Sequence, residues 1–220
     1  MITEHNGLEI ETIANGPFVE NCFIISEAAS GEGILVDPGD EAEHILGRIR
    51  ERKISIKKIV NTHAHIDHVG AVADIKNELG IPFALHAAES QWLDSLPMQA
   101  KMFGLPPKKI PTLDEELKAG DAIHFGNMTA NVLHTPGHSA GGCCLYFANE
   151  GVVFVGDTLF AGSIGRTDLP GGALSVLLDS IGRELLALDD RVVVYCGHGE
   201  PTTIGRERKG NPFLQPGFAG

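Results

Sequence analysis

Residues 63–68 contain four side chains that bind metal ions well, namely His63, His65, Asp67 and His68. A strand-like apolar run precedes them at 59–60, and an apolar helical pattern follows at 69–79. Imidazole nitrogens and carboxylate oxygens are ligands of zinc and related cations, with bond lengths of about 2.0–2.2 Å. A polar surface loop is the alternative interpretation, but such a loop rarely carries three histidines and an aspartate between buried elements. The spacing predicts a metal site at a strand-to-helix turn.

Three further segments place a ligand-type side chain at the end of an apolar, strand-like run. His138 follows the run at 130–133, Asp157 ends the run at 153–155, and His198 follows the run at 192–195. Open α/β folds gather their chemistry at the carboxyl ends of strands. Because a single loop cannot fill two coordination spheres, these three residues are the expected partners of the 63–68 cluster.

Length and composition describe the protein around this centre. The chain has 220 residues, of which 43% are hydrophobic and 6% aromatic, which is typical of a soluble α/β protein with one domain over 1–220. A net charge of −12 disfavours nucleic acid and anionic membranes as partners. We find neither a signal pattern nor a run approaching the ~20 apolar residues of a membrane span, so we expect a cytoplasmic location. The sequence leaves the oligomeric state open.

The four cysteines, Cys22, Cys143, Cys144 and Cys196, lack the spacing of a metal-binding or redox pair. Cys143 and Cys144 are neighbours in a strand-like run, so their side chains should point to opposite faces. We interpret all four as reduced, packed residues. For Cys196, a redox or ligand role is the alternative because it lies two residues before His198.

The two halves of the chain repeat one order of elements. In the first half, a hairpin over 22–36 ends in Asp37, and a helix, a strand and the 63–68 segment follow. In the second half, a hairpin over 143–155 ends in Asp157, and a helix at 173–188, a strand and the loop with His198 follow. Two such halves packed face to face predict an αββα sandwich, an α/β fold of two mixed β-sheets flanked by helices. The metal site would lie along their shared edge.

The region between the halves is less regular. The segment 97–111 is rich in proline and carries Met98, Met102 and Phe103. It is predicted to be either a flexible apolar lid beside the substrate or a surface loop that tucks a few apolar residues into the core. The remaining histidines (His5, His44, His86, His124 and His134) lie in no motif and are interpreted as packing or surface residues.

The assembled motifs closely resemble the metallo-β-lactamase superfamily, and within it the short bacterial branch similar to glyoxalase II. The resemblance covers essentially the whole chain and rests on four segments: Thr-His-Ala-His-Ile-Asp-His-Val-Gly at 62–70, Thr-Pro-Gly-His-Ser at 135–139, Gly-Asp-Thr-Leu-Phe at 156–160 and Gly-His-Gly at 197–199. It implies two divalent cations per chain, with zinc preferred over iron or manganese. One cation would be bound by His63, His65 and His138, the other by Asp67, His68 and His198, with Asp157 bridging both.

The resemblance also implies roles beyond metal binding. Asp37, in Val-Asp-Pro-Gly, is expected to support the ligands. Arg166, in Gly-Arg-Thr-Asp, is expected to contact the glutathione part of a substrate, or alternatively to brace its loop by pairing with Asp168. Asp67 could also carry a proton during catalysis. Compared with longer glyoxalase II proteins, the segment after His198 is short.

The favoured activity is hydrolysis of a small thioester, as in hydroxyacylglutathione hydrolases. Two cations that share a water supply hydroxide at neutral pH. A thiol with a pKa near ~8.5 leaves without a separate general acid, and the sequence shows no such acid. Two alternatives remain: hydrolysis of a lactone or another ester, and a different reaction class. The latter is a glutathione persulfide dioxygenase with one iron bound by His63, His138 and Asp157.

Overall fold

The computed structural model of the protein describes residues 1–218. Its first half contains β1 (Ile2–His5), β2 (Leu8–Asn15), β3 (Glu20–Glu27), β4 (Glu32–Val36), α1 (Ala42–Arg52), β5 (Ser55–Val60), α2 (Ile66–Val69), α3 (Val72–Leu79), β6 (Phe83–His86), α4 (Ser90–Asp94), α5 (Leu96–Met102) and β7 (Glu115–Leu117). Its second half contains β8 (Ala122–Phe125), β9 (Met128–His134), β10 (Cys143–Phe147), β11 (Val152–Gly156), β12 (Leu159–Phe160), β13 (Ser163–Ile164), α6 (Leu174–Ser180), β14 (Val193–Cys196), β15 (Thr202–Thr203) and α7 (Ile204–Gly210).

The strands form two mixed sheets, which confirms the predicted fold class. The first sheet has seven strands in chain order, β1 to β7, and the second has six in the order β15-β14-β11-β10-β9-β8. A small separate ribbon pairs β12 with β13. The predicted domain, 1–220, extends to Ala219 and Gly220, which lie outside the described residues.

Apolar side chains fill three layers. Between the sheets, alternate residues of facing strands meet, with Phe23 against Phe154 at 5.0 Å between ring centroids. Outside the first sheet, α1 contributes Ile45 and Ile49 at helical spacing, and outside the second sheet α6 contributes Leu177. Burial of this apolar surface is the main term that stabilises the sandwich.

The repeated order of elements is present in the structure. In each half an antiparallel hairpin is followed along the chain by a helix and then by a strand parallel to the second strand of the hairpin. The strands are β3-β4-β5 in the first sheet and β10-β11-β14 in the second. Asp37 follows β4 and Asp157 follows β11, so the two acids occupy equivalent positions. Cys143 faces the core between the sheets and Cys144 the outer layer, as alternation along a strand predicts.

Several elements differ from the sequence prediction. The helix predicted over 173–188 is an α-helix only to Ser180 and continues as a π-helix over Ile181–Leu185. The first part of the 97–111 segment belongs to α5, which buries Leu96, Gln99 and Ala100 while Met98 and Met102 are exposed. The hairpin β1-β2 at the edge of the first sheet was not predicted.

Candidate metal centre

The histidine segment begins directly after β5 and is held by buried polar contacts. Asn61 donates through Nδ2 to the His68 carbonyl at 2.7 Å, which closes the turn into α2. The Asp37 carboxylate accepts from the Thr62 backbone N–H at 2.7 Å and from its hydroxyl at 2.6 Å. These hydrogen bonds fix the backbone on the N-terminal side of the first ligand.

The first cluster consists of three histidine rings from two loops. His63 Nε2 lies 3.1 Å from His65 Nδ1, and His138 Nε2 lies 3.3 Å from the former atom and 2.9 Å from the latter. All three side chains are buried. The structure therefore brings together the three residues that the sequence assigns to one cation.

The second cluster adjoins the first and combines histidines with carboxylates. Asp67 Oδ2 lies 3.3 Å from His198 Nε2 and 4.0 Å from His68 Nε2. Asp157 lies between the clusters: its Oδ1 is 3.4 Å from His68 Nε2, and its Oδ2 is 3.7 Å from both His138 Nε2 and His198 Nε2. All seven predicted ligands thus lie in one centre, with Asp157 in the position expected of a bridge.

The facing atoms fit bound cations. Among the described residues, the buried His68 Nε2 and Asp157 Oδ1 have no hydrogen-bond partner. A buried polar atom without a partner costs about 1–3 kcal/mol, so two of them 3.4 Å apart indicate a missing shared partner. In each cluster the ligand atoms lie within 4.8 Å of one another. Histidine and carboxylate donors suit zinc, iron or manganese.

Groups behind the ligands fix which ring nitrogen carries the proton. His138 Nδ1–H donates to the Arg166 carbonyl at 2.8 Å, and His68 Nδ1–H donates to Asp37 Oδ2 at 3.1 Å. His63 Nδ1–H donates to the Thr62 hydroxyl at 3.1 Å, which itself donates to Asp37. With the proton on Nδ1, each ring would present its Nε2 lone pair to a bound cation, which is the arrangement typical of metal-binding histidines.

The two clusters have opposite electrostatics in the metal-free chain. Burial lowers the pKa of His65 to about 3 and that of His63 well below its usual range, and the neighbouring rings add to both shifts. Burial also disfavours a charged His68, but the carboxylates of Asp157 and Asp67 outweigh it and raise its pKa well above the usual range. Burial disfavours a charged Asp157 as well, but His68, with smaller effects of His138 and His198, outweighs it and lowers the pKa of Asp157 below its usual range. Burial therefore disfavours charge on His63 and His65 in the first cluster, whereas the second cluster combines a charged imidazole with carboxylates.

Glycines let the backbone approach the ligands closely. A Cβ atom on Gly39 would lie 1.5 Å from the Asp67 carbonyl oxygen, and one on Gly165 would lie 1.9 Å from the Asp157 carbonyl oxygen. On Gly197 it would lie 2.4 Å from Asp157 Oδ1. No side chain fits at these distances, so the positions of both acids depend on glycine.

Beside the second cluster is an open cleft of 660 Å³. His198 and Asp157 form its floor, and its walls include Phe160, Arg166 and Glu200. Arg166 is exposed and makes a bidentate ion pair with Asp168, at 2.7 Å for each of two hydrogen bonds. Arg166 therefore lines the cleft as the substrate contact would, and it also makes the loop-bracing pair that was the alternative interpretation.

Sequence reasoning missed several residues at the centre. Glu20 is buried, with Oε1 3.7 Å from His68 Nδ1, and burial raises its pKa well above the usual range. Glu89 accepts from the backbone N–H groups of Ala64 and Gly141, and so joins the two loops of the first cluster. None of these positions lies in a motif, because each acts through a contact that only the tertiary fold creates.

Burial raises the pKa of Cys196 to about 12, which does not support a redox or ligand role.

Residues 15–198 match the Metallo-beta-lactamase superfamily, and the chain belongs to this family. It is 38% identical over 209 residues to the hydroxyacylglutathione hydrolase GloC of Haemophilus influenzae, covering 94% of this chain and 98% of that protein. No helix within 1–218 is long and apolar enough to cross a membrane.

Solved structures agree with this assignment. The BLEG-1 B3 metallo-beta-lactamase superposes with a TM-score of 0.87 at 38% identity, covering 93% of this chain and 99% of that one. TTHA1623 in a di-iron-bound form superposes with a TM-score of 0.85 at 38% identity, covering 93% of this chain and 100% of that one. ETHE1 from Myxococcus xanthus shares the fold, with a TM-score of 0.77 at 24% identity over 92% of this chain and 83% of that one.

Proposed function

We propose that the protein is a di-metal hydrolase of small thioesters of the hydroxyacylglutathione type. The observation that carries the proposal is the position of Asp157, whose two oxygens face histidines of both clusters. The 38% identical relative named hydroxyacylglutathione hydrolase supports the thioester as substrate.

The two clusters would each hold one cation, with His63, His65 and His138 on one, Asp67, His68 and His198 on the other, and Asp157 shared. When bound, the pair would supply a hydroxide nucleophile at neutral pH and polarise the carbonyl under attack. We propose zinc, with iron as the alternative because a relative of 38% identity was solved in a di-iron-bound form.

Side chains of the second cluster would carry out the proton transfer from the attacking water. Asp67 is ionised, because His68 and His198 lower its pKa against the effect of burial. Its Oδ2 lies 3.3 Å from the Nε2 of His198, which lines the open cleft, and we assign to Asp67 the role of accepting the proton of the attacking water. The departing thiolate needs no proton, since a thiol with a pKa near ~8.5 is a good leaving group. This arrangement suits a thioester better than an amide.

The cleft would bind the leaving half of the substrate. Arg166 offers a charged fork to a carboxylate, which would exchange with that of Asp168. The wall is held in place by Asn211, whose Nδ2 donates to the Ser163 carbonyl at 2.9 Å and to Glu207. We assign the Asn-Pro-Phe segment to support of this wall.

The cysteines favour a reducing compartment such as the cytoplasm. All four are buried and none is paired with another. Unpaired thiols are typical of proteins that are kept reduced. We therefore propose a cytoplasmic location for the enzyme.

The deciding experiment is hydrolysis of S-D-lactoylglutathione by the purified protein, with metal content measured on the same sample. We expect turnover that a chelator removes, with two cations per chain. The same sample should be assayed with a lactone and a β-lactam, because a relative with 38% identity is a B3 metallo-beta-lactamase. Faster turnover of either would replace the thioester proposal. One iron per chain with oxygen consumption on glutathione persulfide would replace it with the dioxygenase.

A variant tests the assignment of the cleft. We expect Arg166→Ala to raise KM for the glutathione thioester by about 10-fold, the effect of losing one charge-assisted hydrogen bond, with kcat nearly unchanged. Arg183→Ala is the matched control, because Arg183 also makes a surface ion pair with an aspartate, Asp179, but lies on the π-helix outside the cleft. Equal KM values for the two variants would remove Arg166 from the substrate site.

A further inference from the structure

His65 differs from the other ligand histidines in the partner of its second ring nitrogen. Its Nδ1 faces His63 Nε2 and His138 Nε2 at 3.1 and 2.9 Å, so with Nδ1 bound to the proposed cation the ring proton is on Nε2. This Nε2 is buried and has no nitrogen, oxygen or sulfur partner among the described residues. The equivalent N–H groups of His138 and His68 donate to a carbonyl and a carboxylate. A buried donor without an acceptor is costly, so the surroundings of His65 Nε2 need an explanation.

The ring that packs against His65 is the indole of Trp92. The two ring centroids are 4.5 Å apart and the ring planes are perpendicular, at 90°. In this arrangement the edge of one ring meets the face of the other, and the face of an indole is electron-rich. We propose that the Trp92 face accepts the Nε2–H of His65, which makes Trp92 a positioning residue for the first metal cluster. This inference rests on the proposed metal-binding role of His65.

Hydrogen bonds hold both the side chain and the backbone of Trp92. Its Nε1–H donates to the Pro170 carbonyl at 3.1 Å, so the hydrogen-bond donor of the indole is paired with a backbone oxygen and not with His65. Its backbone carbonyl accepts from Gln99 Nε2 and the Ser95 hydroxyl, both at 2.8 Å. An indole fixed in this way can hold the imidazole of His65 in one orientation, as carboxylates and carbonyls do for other metal-binding histidines.

The Pro170 contact connects Trp92 to the loop that carries Arg166. The same loop accepts the Nδ1–H of His138 through the Arg166 carbonyl. Two of the three first-cluster histidines are thus oriented by one loop, His138 directly and His65 through Trp92.

The test compares Trp92→Leu, which removes the aromatic face, with Trp92→Phe, which keeps one. Zinc affinity for each step of binding is measured by competition with a chromophoric chelator. We expect Trp92→Leu to weaken one of two zinc sites by about 10-fold, the low end of the range for removing a partner of a metal-binding histidine. Trp92→Phe should restore most of the affinity, and the other site should be unchanged in both variants. Unfolding midpoints of the metal-free variants separate this effect from a general loss of stability.

Two spectroscopic readouts make the result specific to His65. The Nε2–H proton of His65 in the zinc-loaded protein should have an NMR signal shifted upfield by the ring above it, present in the unchanged chain and in Trp92→Phe and absent in Trp92→Leu. Trp92 is the single tryptophan of the chain, so its fluorescence should change as the first cluster fills. An unshifted His65 signal in the unchanged chain, or equal zinc affinities for the leucine and phenylalanine variants, would overturn the proposal. These readouts need no substrate, so a failed thioester assay leaves them intact.

Discussion

The two metal clusters are built from similar ligands but lie in different surroundings. The first cluster is buried, with His63 and His65 exposed by 1% and 8%, and its rings are oriented by a carbonyl, a hydroxyl and an indole. The second reaches the open cleft, where the His198 side chain is 29% exposed, and His68 is backed by the Asp37 carboxylate. The first cluster therefore resembles a closed structural site, and the second has the access that water and substrate need.

This difference indicates how one centre could combine tight metal binding in the first cluster with access for substrate at the second. The buried set of three histidines would hold its cation tightly. The second cluster, which contains Asp67 and lies beside the cleft, would place its cation where it can polarise a substrate carbonyl. Asp157 connects the two environments, so it is the residue whose loss should affect both.

The largest effect is expected for Asp157→Ala. Because its oxygens face His68, His138 and His198, the variant should lose both cations and reduce hydrolysis to background. Metal analysis of the purified variant, beside its far-ultraviolet spectrum, checks this. A folded variant that retained a full complement of metal would show that Asp157 is not the bridge.

A selective effect is expected for His198→Ala. It should empty the second site preferentially and leave the first largely filled, because His198 groups with Asp67 and His68 and not with the three histidines of the first cluster. His65→Ala is the counterpart and should empty the first site. Two cations per chain in purified His198→Ala would contradict the division into two clusters.

A smaller effect is expected for Asp37→Asn. The side-chain NH2 of the variant would face the Nδ1–H of His68, so two donors would meet. Its Oδ1 could still accept from the Thr62 backbone N–H. We expect the second zinc to bind about 10- to 100-fold more weakly, the usual cost of changing the group behind a metal ligand. The first zinc should weaken less, because Asp37 reaches His63 only through the Thr62 hydroxyl. Stepwise zinc affinities measure the difference, and equal losses at both sites would argue against it.

The smallest effect is expected in the pH dependence of the metal-free protein. His63 and His65 have lowered pKa values in the folded chain, so below pH ~6.5, the ordinary histidine value, the unfolded chain binds more protons and stability falls. For His65 this loss extends down to pH about 3. His68 and His198 have raised pKa values, so their contribution is full below pH ~6.5 and is lost as pH rises through the folded values.

Thermal unfolding midpoints across pH therefore separate the clusters. In the metal-free state, His65→Ala should flatten the acidic side of the stability profile, and His198→Ala should flatten the alkaline side. If His65→Ala flattened the alkaline side and His198→Ala the acidic side, the pKa shifts of the two clusters would be the reverse of those expected.

The fold and the grouping of the seven candidate ligands could be predicted because they leave local patterns. Each of the seven metal-site residues lies at or just after the end of a strand or at the start of a helix, and the repeated hairpin, helix and strand identify the two sheets. The family assignment and fold class are confirmed. The metal roles and the contact of Arg166 with substrate stay predictions.

The residues that were missed act only through the folded chain. Trp92 and Glu89 come from the irregular region between the halves, where no periodicity indicates their neighbours. The strands β12, β13 and β15 have two residues each and pair only because the surrounding loops place them together. The π-helix at Ile181–Leu185 has the same apolar spacing as an α-helix, so the sequence could not distinguish them.

The order of the ligands along the chain has a consequence for biosynthesis. Neither cluster is complete within the first half: one requires His138 and the other His198. A nascent chain that has exposed only the 63–68 segment offers incomplete coordination, and the sheets that bring the halves together form later. Under the proposed assignment, the first cation could be acquired only after residue 138 has been synthesised, and the second only after residue 198. The metal that the centre takes up would then depend on which cation the cell makes available to the newly folded protein.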